Sequence, residues 1–557
     1  MKKNTRFFSF IFTVCFVVFF AWGKAQVTTP IMGLLYGMTN YGGDSSKGAI
    51  FYDDVLNSTN KIVYSFGTVS GNSPFGSMIQ AKDGNLYGMT SSGGSFGFGT
   101  VFQYNTSTNT YTVLHNFDSV HGKTPIGSLI QATDGNLYGM TPHGGTLQNG
   151  VLFKITTGGT YTVLLNFTGT TGSYIGGTPY GSLMQASDGN LYGMASAGGS
   201  SGNGVVFEYT LAGVYSVLVN FTGNSGLYLG AAPRSSLVEE PNYQYLYGMT
   251  YRGGTSDDGT IFYIPLGGGG FTNVMSFTGT NGQYPFGDLA EVKDPSGYNY
   301  FYGMTYLGGT HNLGVLFNFQ APPQTPTVGV VYNFTSSAGG VGDYPGGSVY
   351  LASNDSLYGM TYGGGPLGDG TVFQWDFSAN VMKVSDGFNI SNGESPIDGN
   401  VLEAMTVSII DTTPSCTTQI LEARVRGGKS PYIYSWTGHL TTASIGGITA
   451  AGTYTVGVTD ANGIKVSAGI TLGAYTALNA AAGAKRTSCN GTSDGQAIVV
   501  ASGGIAPYSY RWSPSNQTTA TATGLSSQGY TVGSAGEKFN PITMPMCAYP
   551  VELQRCR

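Results

Sequence analysis

The chain has 557 residues, of which only 9% are charged, far below the roughly 25% of ordinary soluble domains, and its formal net charge is −6. Its 23 Lys and Arg residues form no basic stripe, which argues against nucleic-acid binding by phosphate neutralisation. With 89 Gly, solubility must come from hydroxyls, amides and backbone, a style common in exported β proteins.

The amino terminus reads as a secretory signal peptide over residues 1–25. Lys2, Lys3 and Arg6 precede an apolar run from Phe7 to Trp22, and Gly23-Lys24-Ala25 offers a small-residue cleavage site before Gln26. The run is shorter than the roughly 20 residues that span a bilayer, and no later segment is apolar for long enough, so no transmembrane helix is expected. Cys15 has no lipobox around it.

From residue 26 to 404 one phrase returns seven times. Leu35-Tyr36-Gly37-Met38 is repeated with its tyrosine at Tyr87, Tyr138, Tyr192, Tyr247, Tyr302 (there after Phe301) and Tyr358, at spacings of 51, 51, 54, 55, 55 and 56 residues. Each copy continues with a single Gly twelve residues after the Tyr (Gly48, Gly99) and a Phe at fifteen (Phe51, Phe102). Strands are expected through Leu-Tyr-Gly-Met-Thr, through Gly99–Phe102, through Tyr111–Phe117 and through Gly127–Ile130, with Asp83-Gly84-Asn85 as a hairpin turn whose two central residues have positive φ. Four strands per repeat at a kelch-like period predict an all-β, seven-bladed β-propeller. The first copy lacks the strand before its Leu-Tyr-Gly-Met, and the segment 396–404 supplies a spare one, so the ring is expected to close there. Along the phrase, Tyr and Met should face one neighbouring blade and Leu and Thr the other, with the Gly admitting a close approach of backbone or ring.

After residue 404 a second module appears twice, over 405–474 and 475–534. Gly427-Gly428-Lys429-Ser430-Pro431-Tyr432-Ile433-Tyr434-Ser435-Trp436 matches Gly503-Gly504-Ile505-Ala506-Pro507-Tyr508-Ser509-Tyr510-Arg511-Trp512. The Tyr-x-Tyr-x-Trp alternation puts three aromatics on one strand face, as in two Ig-like β-sandwich modules with Trp436 and Trp512 as core anchors. Residues 535–557, with Pro541, Pro545 and Pro550, read as an irregular tail, such as a truncated or frame-shifted terminus would give.

The repeated phrase resembles the GloVer-type tandem repeat of exported bacterial proteins, and the Gly-Gly-x-x-Pro-Tyr-x-Tyr-x-Trp modules resemble the SprB-type repeats of gliding-motility adhesins. Together the resemblances imply a secreted or cell-surface protein of a Bacteroidetes-like bacterium, exported by a type IX pathway. Neither family brings a defined catalytic residue. SprB-type modules carry a Cys after the Asp-x-Asn-Gly turn where this chain has Ile464, which leaves Cys416 without its expected partner. Whether Cys416, Cys489, Cys547 and Cys556 pair stays open.

No catalytic residue, cofactor or metal site is expected. The five His are scattered, no C-x-x-C pair occurs, and most carboxylates of the repeats fall in turns (Asp83, Asp134, Asp188) or loops (Asp44, Asp257, Asp258, Asp343, Asp369). A sialidase-like site would need several arginines, and the repeats hold only Arg234 and Arg252. Recognition is placed instead on the loop face, where the connections vary in length, with Tyr41, His143, Tyr251, Arg252, Tyr306 and Tyr362 as candidate contacts for an extracellular glycan or protein ligand. The expected product is a monomeric, non-enzymatic adhesion protein; a polysaccharide-active propeller enzyme (glycosidase or lyase) and a purely structural matrix protein are the alternatives.

Overall fold

The computed structural model describes residues 33–57, 59–294, 298–321, 327–336, 340–389, 393–396, 399–412, 419–448, 450–473, 479–485, 493–502, 509–526, 530–535 and 540–544. The signal peptide, all five cysteines and the Gly503–Tyr508 half of the second aromatic motif lie outside them. The chain is all-β, and among the described residues no helix is long and apolar enough to cross a membrane.

Seven antiparallel sheets follow one another along residues 34–404. The second shows the pattern: Ile79–Gln80, Leu86–Thr90, Thr100–Asn105 and Thr110–Asn116, hydrogen-bonded in that order. The sixth sheet has a fifth strand, because Gln283–Pro285 and Ala290–Lys293 both pair with Asn299–Leu307. In the first sheet the edge strand comes from far along the chain, with Leu34, Leu35 and Tyr36 opposite Ala404, Glu403 and Leu402. The Glu403 carboxylate also accepts the Gly33 N–H at 2.5 Å, fixing the start of the first sheet to the end of the array.

Alternation along each central strand gives every sheet two apolar faces, and those faces build the core between sheets. Tyr87 and Met89 pack with Leu137, Val151 and Phe153 of the next sheet. Tyr138 and Met140 pack likewise with Leu191 and Phe207. The series returns to its start: Tyr358 and Met360 of the seventh sheet pack with Leu35 and Phe51 of the first.

The glycine of each phrase is explained by the aromatic ring opposite it. Gly88 is the cross-strand partner of Phe102, and a Cβ on Gly88 would lie 2.5 Å from Phe102 Cζ. The same contact recurs for Gly37 on Phe51, Gly139 on Phe153, Gly193 on Phe207, Gly248 on Phe262, Gly303 on Phe317 and Gly359 on Phe373, at 2.5–2.7 Å. Each of these rings then meets, edge on, a Phe from the end of the preceding sheet's outer strand. Phe66 meets Phe102 at 5.6 Å, Phe117 meets Phe153 at 5.5 Å, and Phe388 of the last sheet meets Phe51 of the first at 5.0 Å.

Two expectations about the repeats are corrected. The strand expected over Gly127–Ile130 is only Ile130–Gln131. The Gly-Ser before it serves a different purpose, since the sheets converge there: Ser77 N–H donates to Ser128 Oγ, Ser128 N–H to Ser182 Oγ, and Ser182 N–H to Ser236 Oγ, at 2.8–2.9 Å. Asp288 continues the series, accepting from Ser236 N–H, and Asn400 N–H closes it on Ser77 Oγ at 2.9 Å. The Asp-Gly turn has one left-handed residue rather than two, with Gly84 at φ +83° and Asp83 outside that region. Gly84 N–H donates to Ala81 O and Ala81 N–H to Asn85 O, a three-residue turn that leaves the Asp83 carboxylate free to cap the strand. It accepts from Asn85 N–H and, at 2.6 Å, from the Tyr87 hydroxyl.

Two smaller units follow, each of two three-stranded sheets. In the first, Thr406–Asp411, Gln419–Arg426 and Ser444–Ile448 face Ile433–Trp436, Gly452–Thr459 and Lys465–Leu472 across a core holding Trp436, Leu421 and Val456. Trp436 Nε1–H donates to Thr442 O and Trp512 Nε1–H to Thr519 O, each at 2.8 Å, so both indoles are satisfied core anchors. Ile464 packs against the same core. The tail expected to be irregular contributes a strand, Asn540–Met544, paired with Tyr530–Ser534. The alternation that continues through Pro541-Ile542-Thr543 outweighs the proline, whose missing N–H is tolerable on an outer strand.

The first of these units is seated on the turn end of the first two sheets. Gln80 pairs with the Met405 backbone as a strand would, its side chain accepting from Met405 N–H at 2.7 Å and donating to Met405 O at 2.9 Å. Lys465 N–H donates to Lys82 O, and Arg426 grips Asp54 through two nitrogens at 2.8 and 3.2 Å. The Arg426 guanidinium holds the Asp54 carboxyl below its ordinary range.

Gly88→Ala is expected to destabilise the chain by about 1–3 kcal/mol, because the new methyl and the Phe102 ring claim the same space. Phe102→Leu in the Gly88→Ala background should recover part of that loss, whereas simply additive melting-point losses would rule out the ring contact as the cause. Asp53, buried at the junction of the first and seventh sheets beside Ser385, is pushed up to about 6 by burial. The folded state therefore favours its protonated form, a contribution present below pH 4 and lost as pH rises through 6. Asp53→Asn should stabilise the chain by roughly 2 kcal/mol at pH 7.5 and hardly at all at pH 4, from unfolding curves at the two pH values. An equal effect at both would refute the assignment.

Candidate functional site

Every Leu-Tyr-Gly-Met-Thr strand runs from the Asp-Gly turn end of its sheet to the opposite end. There the last residue is buried, a Thr in six sheets and Ala195 in the fourth, and the Thr hydroxyl donates back to the chain, as Thr90 does to Ser92 O and Thr141 to His143 O. The Gly-Gly loop and the connection to the following sheet emerge at this end. In the connection a non-glycine residue before each proline takes a left-handed conformation: Ser73, Thr124, Thr178, Ala232, Tyr284, Tyr344 and Ser395, at φ 49–57°. Seven strained residues at one repeat position mark a rim whose shape is over-determined by its surroundings.

This rim is chemically uneven. Directly after this buried residue stand Asn40, Ser91, Pro142 and Ser196 in the first four sheets, then Tyr251, Tyr306 and Tyr362 in the last three. Tyr251 stacks on Tyr284 at 5.0 Å and meets Phe286 edge on at 5.8 Å. Tyr306 lies against Tyr344 at 5.4 Å, and Tyr362 N–H donates to Tyr344 O. Four of the six predicted contacts, Tyr251, Arg252, Tyr306 and Tyr362, thus share one aromatic arc. The other two stand on other sheets. Tyr41 is exposed and bridges to Glu394, while His143 is half-buried and bridges to Lys123. Burial, reinforced by the Lys123 charge, holds the His143 imidazole below its usual range, so it is neutral at pH 7.

Sequence reasoning missed the centre of the arc. The residue directly after the proline of each connection is Phe75, Ile126, Tyr180, Phe286, Gly346 and Ile397 in six copies, and Arg234 in the fifth sheet. The Arg234 guanidinium stands 4.0 Å from the Tyr251 ring, 5.0 Å from Tyr180 and 5.1 Å from Phe286. One Arg in a position otherwise apolar, aromatic or glycine was the available signal. Arg252, one residue beyond Tyr251, forms an exposed ion pair with Asp257 at 3.0 Å and lies 5.2 Å from the Tyr284 ring. The arrangement offers stacking faces, phenol hydroxyls and one guanidinium plane to a ligand. Among the described residues no three His, Cys, Asp or Glu side chains converge as a metal site. The carboxylates of the turns are engaged at the far end, where Asp134 and Asp188 accept from Tyr138 and Tyr192 as Asp83 does from Tyr87.

Comparison with solved structures finds many similar chains, of which three are described. One, from Bacteroides uniformis and provisionally assigned as a 6-phosphogluconolactonase, is 15% identical over 67% of this chain and 99% of its own, with a TM-score of 0.45. TolB from Acinetobacter baumannii is 11% identical over 54% of this chain and 63% of its own, with a TM-score of 0.34. A fungal alcohol oxidase of the AA5 family is 11% identical over 80% of this chain and 98% of its own, also at 0.34. These likenesses are too distant to carry chemistry to this chain. No curated protein matches it. The SprB repeat matches residues 487–517, within the second of the small units. The Gloeobacter/Verrucomicrobia repeat matches twice, over residues 21–178 and 173–349, more than half of the chain. The chain belongs to the Gloeobacter/Verrucomicrobia repeat family.

Proposed function

We propose that the chain is an exported, non-enzymatic recognition protein. Its repeats form a seven-bladed β-propeller closed by the strand Leu402–Ala404, and the two units after it are Ig-like spacers. The propeller acts as a monomer that binds an extracellular glycan through its loop face. The observation that carries this reading is the division of labour between the two ends of the ring. The aromatic arc of Tyr251, Tyr284, Tyr306, Tyr344 and Tyr362 lies at one end, and the first small unit is seated at the other, on Gln80, Lys82 and Asp54. Partly buried tyrosines on rigid loops offer a stacking surface at low entropic cost, which suits sugar rings. The amino-terminal signal-peptide pattern and the SprB match support secretion and display at the cell surface.

The full secreted chain is expected to be retained on at least one member of an immobilised polysaccharide panel, and Tyr306→Ala should reduce retention at least tenfold while leaving the melting temperature within a few degrees. Release of reducing ends from the panel would replace this reading with that of a polysaccharide-active enzyme. A folded protein that binds nothing on the panel would end the glycan reading.

A further inference from the structure

The repeats contain two arginines in positions 26–404, and the structure treats them differently. Arg252 is exposed and already neutralised by Asp257. Arg234 takes part in none of the ion pairs among the described residues, and its Nε is buried with no hydrogen-bond partner. Three rings, Tyr180, Tyr251 and Phe286, hold its plane within 4.0–5.1 Å. Such contacts offset only part of the cost of withdrawing a guanidinium from water. The fold does not need a charge there, since the other six connections fill the same position with Phe75, Ile126, Tyr180, Phe286, Gly346 and Ile397.

A planar cation, half-buried, clamped by aromatic faces and lacking a carboxylate partner is a site prepared for an anion from outside. Its fork matches a carboxylate or a sulfate, and the flanking tyrosines match the ring that bears it. We infer that the rim around Arg234 binds an anionic sugar, with Arg234 taking the carboxylate or sulfate ester and Tyr180 beside the sugar ring. The aromatic surface continues to Tyr306, Tyr344 and Tyr362 on the next two sheets, so the site accommodates a stretch of polymer. This inference rests on the glycan-binding reading above and adds the charge of the ligand to it.

The test is calorimetric titration of the full chain with polygalacturonate, its fully methyl-esterified form, a sulfated galactan and its unsulfated counterpart. Binding should be confined to a charged member of one or both pairs and should weaken as salt is added. Arg234→Gln should cost that binding roughly ten- to a hundredfold, the loss expected for a charge-assisted hydrogen bond. Arg234→Lys should recover only part of it, because the point charge lacks the fork. A preference for polygalacturonate assigns the carboxylate, and one for the sulfated galactan assigns the ester. Equal binding of charged and neutral forms, unaltered by Arg234→Gln, overturns this inference and leaves glycan recognition standing. No binding of any of the four by folded protein overturns both. Should Arg234→Gln lose its fold, Arg234→Lys and the salt dependence of the unaltered chain decide the same question.

Discussion

A phenylalanine ring lying on the bare Cα of a glycine is the contact on which the packing of successive sheets depends. Gly88 and Phe102 show it, and all seven sheets repeat it. Without a Cβ the ring can lie flat across the middle of the sheet, and its edge is then free to meet the Phe of the sheet before it. Local pairing and packing between sheets are thereby fixed by one residue pair. This is why the spacing from Tyr to Gly to Phe does not vary while the connections do, and why a charge has so few places to go.

The alternation of Tyr and Met against Leu and Thr was readable before any coordinates, because a strand buried on both faces has a fixed period of two. So was the join at Leu402–Ala404, since a missing strand at one end and a spare one at the other can satisfy each other only by pairing. The short inner strands were harder to see. Gly127-Ser128 has the composition of a strand, but crowding near the axis turns its serine towards the neighbouring sheet instead of along a ladder. The hairpin at Asp83 misled for a related reason. Its carboxylate works best when the aspartate is right-handed and can reach Tyr87, and a turn formula does not record where a side chain goes.

The candidate site was half legible. Tyr251, Tyr306 and Tyr362 stood out because they follow the buried Thr, where a loop must begin. Arg234 did not, since arginine was weighed as a member of a catalytic set and not as an exception within a repeat. Repeats give the comparison that a single sequence otherwise lacks: six positions state what the fold requires, and the seventh states what it does not. Tyr41 and His143 satisfied the same loop criterion, yet they sit on sheets where the residue after the Thr is Asn40 or Pro142 and no aromatic arc forms around them.

The three-residue strand that completes the first sheet has a mechanical meaning. Ala404 ends that strand, and Met405, the next residue, is already gripped by Gln80 as the chain enters the first small unit. A pull on the carboxy-terminal units therefore reaches the ring at its seam before it reaches any other sheet. Gln80, together with the Arg426–Asp54 pair that ties the same unit to the first sheet, stands across that path of tension. The seam would otherwise open one pair at a time, like a zip; with the unit held down on both sides, the load is shared between the seam and its clamps. On the proposed reading, in which a ligand is held at the opposite end, the reinforcement stands where the strain arrives.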